Sequence, residues 1–467
     1  MKKIAFLAFF LAVHASCSAE AVKTSANDRK DIEVTVYNNN LGLVKDVRTF
    51  TLPEGEGELR FADVAAFIMP ATVHARSLGR PEDFSVLEQN YEYDLMNERK
   101  LLDKYVGKDI KIVTWNEYQD RKEEVAATLL SNNEGQIYRI GSEIFLGHPG
   151  TKVLPEIPEN LIAKPTLTWL YRSGTSAAQE IEVSYLTQNI RWSADYVLTL
   201  DTADKSADLS GWVTLDNQSG TAYENAKLKL VAGDVNRAQP EFMDGGMRMV
   251  AMAKAEPAFV EKAFFEYHLY DLQRPTTIKD HQTKQISLLE AAGVPIEKEY
   301  RIEGARGIWT YGMGGEKQKQ PVQVFFKFKN SAAGRLGMPL PAGVVRIYKA
   351  DDAGSLQFAG EDRIEHTPKD EEVEIKAGDA FDITAERRQT DFKQLTTRLY
   401  ESEWEVAVRN HKAEAVTVDV VEPVGGNWKI LSNSHPYEKT SAFMLRFKVT
   451  VPKDGEVKLA YRVQTGI

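Results

Sequence analysis

Between Glu180 and Arg237 apolar and polar residues alternate with a period of two, break at a polar turn, and alternate again. Side chains of an extended strand point in turn to opposite faces, so this pattern predicts antiparallel strands buried on one side, with Ile181, Val183 and Tyr185 facing inward. Trp192, Tyr196 and Trp212 lie in the same kind of run and are expected in core or cross-strand packing. The rhythm begins much earlier. Ile32, Val34 and Val36 precede a turn at Asn38–Asn40; Leu43, Val44, Val47, Phe50 and Leu52 lead to Pro53-Glu54-Gly55; Leu59, Phe61 and Val64 follow. These runs predict a small N-terminal β-domain of hairpins over residues 31–85.

One segment departs from the period. In Asn90–Val106, Leu95, Leu102 and Tyr105 fall near one helical face while Glu98, Arg99 and Lys100 take the other, and Gly107 supplies a stop. A helix is therefore expected near 90–106. Strand patterning resumes at Lys108, so residues 86–165 read as a β-rich insert with one helix, closed by Pro149, Pro155, Pro158 and Pro165. Residues 166–395 read as a central β-sandwich domain. From Glu403 the runs EWEVAVRN, AVTVDVVEPV, WKILS, FMLRFKVTV and VKLAYRVQ have the rhythm of an immunoglobulin-like sandwich, assigned to 396–467. Two loops interrupt: Gly245–Ala258, with Met247, Met249 and Met252, and Gly304–Gln320. No fixed-period repeat beyond the strand rhythm is evident. The expected fold class is all-β, built of antiparallel sandwiches with one short helix.

The N-terminus changes the picture. Lys2 and Lys3 precede an apolar run of ten residues, Ile4–Val13, and then the small residues Ala15, Ser16, Ser18, Ala19 and Ala21. This is the pattern of a secretory signal peptide over residues 1–21, too short to cross a bilayer core of about 30 Å as a helix. No later stretch is long and apolar enough to be a transmembrane helix. The expected location is periplasmic or secreted. Cys17, the single cysteine, has two open fates: removal with the signal, or lipidation as the N-terminus of an anchored form, which would be the chain's one route to the membrane. Neither allows an intramolecular disulfide. The 467-residue chain carries a net charge of −10. That argues against nucleic acid and anionic membrane as partners.

Longer runs carry a family resemblance. Asp208–Arg237 (DLSGWVTLDNQSGTAYENAKLKLVAGDVNR), RWSADYVLTL before it, Glu266–Leu289 and Leu336–Phe392 resemble the bacterial domain-of-unknown-function family 4139. The resemblance covers about Leu167 to the C-terminus, and residues 31–85 resemble the small β-domain that often accompanies it. Relatives called mucoidy inhibitors place a long coiled coil between the two; this chain has one short helix and a β-rich insert there. The resemblance implies a β-sandwich fold and an exported location, and supplies no catalytic residues.

Candidate chemistry is sparse. Gly360–Glu371 holds five carboxylates and a histidine in twelve residues. Glu361, Asp362, His366 and Asp370 are the catalytic candidates: paired carboxylates can act as acid and base on a glycosidic bond, or hold a hard cation through oxygen. A solvated turn between two strands accounts for the same residues. The remaining histidines form no HExxH, no GxSxG elbow is present, and the Gly312–Gly315 loop lacks the Lys-Ser of a phosphate cradle. No cofactor and no metal site are expected. Trp309 and Tyr311, in the glycine-rich loop, are the ligand-binding candidates, since exposed aromatics stack on sugar rings or anchor a protein. The leading functional expectation is a non-catalytic envelope protein that binds envelope protein or polysaccharide. The alternatives are an envelope hydrolase using the 361–371 carboxylates and an assembly protein acting through edge-strand pairing.

Overall fold

The computed structural model describes residues 21–92, 96–116, 120–158, 161–233, 259–264 and 267–466. Cys17, nearly all of the export segment and the 245–258 loop lie outside the described residues. Strands make up 65% of the structure and helix 5%. The fold is all-β with one short α-helix among the described residues. Ile181, Val183 and Tyr185 are buried, as the alternation requires.

The helix is shorter than expected, Glu98–Tyr105. Asn97 starts it by accepting a 2.9 Å hydrogen bond from the Lys100 amide. Upstream, Asn90, Tyr91 and Glu92 are strand residues paired with Thr168, Leu167 and Thr166. The ladder to a neighbouring strand overrides the weak helical period there.

Between Asp31 and Ser85 one hairpin closes locally, and the remaining strands pair outside the segment. Arg29–Tyr37 and Leu41–Thr51 do pair, around a turn in which Asn40 takes φ 53°. Gly55–Ala62 and Phe84–Glu92, however, both pair with Thr166–Ser173, in a four-stranded sheet. Leu41–Thr51 also pairs with Ala178–Gln188, and Arg29–Tyr37 runs parallel to Tyr223–Ala232, in an eight-stranded sheet. A short run such as Leu59–Phe61 has too few apolar partners nearby, and it finds Trp169 and Leu167 instead. The Phe61 and Trp169 rings lie 5.5 Å apart.

A five-stranded sheet follows, with Ile190–Leu200 at its centre, antiparallel to Ser206–Asn217 and parallel to Gly343–Ala350. Trp192 and Tyr196 are buried here, but Trp212 is 38% exposed, because it stands on the outer face opposite Asp195 and Ser287. The insert forms its own five-stranded sheet around Ile110, Ile112, Leu129 and Tyr138, capped by Leu102 and Tyr105 of the helix.

The C-terminal body pairs two sheets. One has six strands in the order Glu372–Asp379, Gln323–Lys329, Glu297–Glu303, Val416–Pro423, Met444–Val451, Tyr437–Ser441. The other has five, Gln318–Gln320, Ile383–Thr396, Leu399–Asn410, Gly455–Gly466, Asn427–Asn433. Its core takes Ile302, Ile308, Trp309 and Val322 as well as residues beyond 383. The six-stranded sheet also reaches the large N-terminal core, through Phe326, Phe328, Val373 and Ile375.

A local device recurs at three strand ends. Val213-Thr-Leu-Asp-Asn217, Phe326-Lys-Phe-Lys-Asn330 and Val406-Ala-Val-Arg-Asn410 each place a fully or almost fully buried asparagine after an apolar-x-apolar-charged run. The amide of Asn217 donates to the Thr221 and Lys279 carbonyls at 2.9 and 3.0 Å, while its oxygen accepts from the Ser219 amide. Asn330 donates to the Met338 and Pro368 carbonyls at 2.8 and 2.9 Å and accepts from Gly337. Asn410 donates to the Glu414 and Pro452 carbonyls at 2.7 and 3.1 Å and accepts from Lys412. Each side chain satisfies backbone groups that leave the ladder where the strand ends.

A charge cluster pins neighbouring sheets. Asp204, at φ 56° in the 201–206 turn, receives Lys298 at 2.7 Å and Lys349 at 2.5 Å. Burial pushes its carboxyl up, but the two lysines outweigh burial and hold it below its ordinary value.

Two predictions follow from these contacts. Asn330→Ala strands the Met338 and Pro368 carbonyls and the Gly337 amide, and is expected to cost about 3 kcal/mol, read as a lower urea midpoint at unchanged slope. Because the Asp204 carboxyl is depressed in the folded state, its contribution is complete above an unfolded value of about 4 and fades as pH falls through the folded value. The stability gap between wild type and Asp204→Asn is therefore expected to be flat above pH about 5 and to shrink on acidification, in thermal melts across a pH series.

Candidate functional site

The acidic segment is consumed by the fold. Glu361 lies on the Leu356–Ile364 strand opposite Arg346, with which it forms an ion pair at 3.3 Å. Asp362 accepts from its neighbour Arg363 and from the Lys376 amide, both at 2.8 Å, and so ties this edge strand to Glu372–Asp379. Gly360 permits that approach, at φ 149°, where a Cβ would collide with the Ala377 carbonyl. His366 is exposed, and its Nδ1 accepts from the Ala342 amide at 3.1 Å. Asp370 occupies the turn at φ 67°, and its amide donates to the Asn330 carbonyl. None of these side chains lines either of the two clefts described below. No group of three or more His, Cys, Asp or Glu among the described residues is placed to hold a metal ion.

The aromatic pair of the glycine-rich loop separates. Tyr311 is 50% exposed, but Trp309 is only 2% exposed and does not face solvent as expected. Gly307, at φ 80°, starts the short turn Ile308–Thr310 and drives the indole inward. Its Nε1 donates to the Pro423 carbonyl at 2.7 Å. The buried amide of Gln389 pins the same loop, accepting from the Met313 amide at 2.6 Å and donating to the Tyr311 carbonyl at 3.2 Å.

Beside Trp404, whose ring lies 5.8 Å from the Arg387 guanidinium, is a buried ion pair, Arg387 with Glu422. Burial pushes the Glu422 carboxyl up, and the Arg387 guanidinium opposes that push. Gly304 crosses directly above, where any Cβ would strike the Glu422 Oε2 atom. A second buried pair, Arg48 with Asp46, holds the N-terminal body. The Arg48 guanidinium lies 3.5 Å from the centre of the Phe61 ring, and Arg29 reaches the same carboxylate at 2.9 Å.

From Trp309 a chain of aromatic rings runs to the surface. Trp404 and Tyr461 flank it at 5.6 and 6.3 Å; Phe447 lies 5.0 Å from Tyr461, Tyr437 6.0 Å from Phe447, and Trp428 6.5 Å from Tyr437. The chain ends at a groove of about 590 Å³ between the edge strands Asn427–Asn433 and Tyr437–Ser441. Phe443 stands in it 58% exposed, and Tyr437 beside it is 41% exposed. The Trp428 indole spends its N–H on the Ala442 carbonyl at 2.9 Å, so it offers only its faces, and the Lys439 ammonium sits 4.8 Å over one of them. Asn427, Lys429 and Gln464 complete the polar rim. Alternation marks Trp428 and Phe443 only as strand residues. In the structure Trp428 is half-buried on an edge strand, while Phe443 is exposed in the turn after Tyr437–Ser441, a placement that one sequence does not reveal.

A second cleft, also about 590 Å³, lies between Ala26–Ile32, Asp63, Lys164 and Gly220–Asn225. Its charges largely neutralise one another: Lys164 pairs with Asp63, Arg29 with Asp46, and Lys227 with Asp31.

Fold and groove together define an all-β protein of packed sheets with an aromatic recess at one end of its C-terminal body. Residues 181–465 match the family described as a domain of unknown function, DUF4139; this is more than half of the chain, and the protein belongs to that family. No curated protein matches the chain.

The two loop aromatics give opposite predictions. Trp309→Ala empties a packed site and removes the bond to Pro423, with an expected cost of about 3–5 kcal/mol. Tyr311→Ala should change stability by no more than about 0.5 kcal/mol. Chemical denaturation of both variants decides it; equal losses would refute the buried placement of Trp309.

Proposed function

We propose that this is an exported cell-envelope protein that binds polysaccharide, without catalysis, in the groove between Asn427–Asn433 and Tyr437–Ser441. The observation that carries the proposal is the pair of aromatic rings that line it, the exposed Phe443 and the half-buried Trp428, the latter fixed from below by the buried ring chain. A rigid apolar ring face with amides and ammonium groups around it suits a sugar, whose own ring has an apolar face and a rim of hydroxyls. Pre-organisation lowers the entropy lost on binding. Export is supported by the N-terminal pattern of residues 1–21, and the periplasmic or secreted location is part of the same proposal.

Binding has more support than hydrolysis. Glu361 and Asp362 are engaged by Arg346 and the Lys376 amide of neighbouring strands, and His366 by the Ala342 amide. The assembly reading draws on one specific feature: Tyr437–Ser441 is an edge strand with all five residues exposed. A partner strand added there would leave Phe443 dispensable.

The purified protein is expected to bind envelope polysaccharide in calorimetric titration, and Phe443→Ala to weaken it about tenfold, or about 1.4 kcal/mol. Unchanged affinity in Phe443→Ala would overturn the groove as the site.

A further inference from the structure

The groove's charge narrows the ligand, and the inference rests on the polysaccharide reading above. The chain as a whole is acidic, with 68 Asp and Glu against 58 Lys and Arg. Some of its exposed cations meet a carboxylate, as Lys227 meets Asp31 and Arg172 meets Glu56. Those of the groove do not. Lys429 and Lys439 both line it, no acidic residue does, and neither lysine has an ion-pair partner among the described residues. Gln464 of the rim donates to the Glu401 carboxylate at 2.9 Å, and that carboxylate lies beside Arg462.

We infer that the groove takes an anionic saccharide, a glycan whose sugar rings carry a uronate carboxylate. Lys439 supplies the mechanism. Its ammonium rests on the Trp428 ring, an exposed contact of modest strength. A hydrogen bond between an ammonium and a carboxylate is stronger than that contact. An incoming uronate therefore draws Lys439 off the indole and frees that face for a sugar ring, while Phe443 holds the adjacent ring. Lys429, on the strand that carries Trp428, provides a second cation for the next carboxylate along the chain. A neutral glycan gains only the stacking and leaves Lys439 where it is.

The test uses galacturonic acid hexamer and the same hexamer fully methyl-esterified, titrated into the purified protein by calorimetry at two salt concentrations. The acid form is expected to bind at least tenfold more tightly than the ester, and to weaken as salt rises. Lys439→Gln and Lys429→Gln should each reduce that preference with little effect on the ester, and Phe443→Ala should weaken both forms. All three side chains are on the surface, so the variants are expected to melt with wild type. Equal affinity for acid and ester, both weakened in Phe443→Ala, would sink the uronate inference and leave the groove standing. Binding untouched by Phe443→Ala would sink both. No measurable binding of the acid form would also overturn the inference.

Discussion

One sheet belongs to two cores. In the six-stranded sheet, Phe326, Phe328, Val373 and Ile375 enter the large N-terminal core, whereas Ile302, Val418, Val420 and Phe447 enter the C-terminal one. The join between the halves is the parallel ladder of Tyr300–Glu303 with Val418–Val421. Apolar burial on either side therefore rests on the same backbone hydrogen bonds. The Asp204 cluster reinforces the arrangement, since Lys298, at the start of Glu297–Glu303, is held by a turn of the neighbouring five-stranded sheet. With a single cysteine in the chain, an intramolecular disulfide plays no part.

Buried charge occurs where packing leaves little freedom. Arg387 and Glu422 meet under the Gly304 crossing, and Arg48 and Asp46 meet beneath Phe61. Such pairs repay little of their desolvation, and removing one partner is far more damaging than replacing both. Their geometric demand is nonetheless visible in the backbone: Gly304 is needed because the carboxylate fills the space a side chain would take. The glycine-rich loop is thus glycine-rich partly for packing and not for display.

Much of the fold was legible from alternation alone. The strand faces carrying Ile181, Val183 and Tyr185, or Ile32, Val34 and Val36, follow from a period of two. Pairing partners did not, because a ladder between Leu59 and Trp169 leaves no local trace in either run. The three asparagine strand ends leave no local signal for a related reason: they recur at unequal spacing, and what unites them is burial at a strand's end. Trp309 is buried although its glycine neighbours read as freedom, because Gln389, distant in sequence, fixes the loop. The groove was least legible. Trp428, Tyr437 and Phe443 sit in ordinary strand patterns, and only the sheet order places Trp428 and Tyr437 on edges that meet, with Phe443 in the turn beside them.

The parallel pairing of Arg29–Tyr37 with Tyr223–Ala232 has a kinetic consequence. Lys227 and Asp31, and Lys229 and Glu33, are each 196 residues apart along the chain. A polypeptide emerging N-terminus first must leave Ile32, Val34 and Val36 without their final neighbour until that distant strand arrives. Closing so long a loop precedes any reward from the contacts it makes, so assembly of this region is slow and exposes a bare apolar edge meanwhile. Guarding that edge until the chain is complete is a burden the native structure no longer shows.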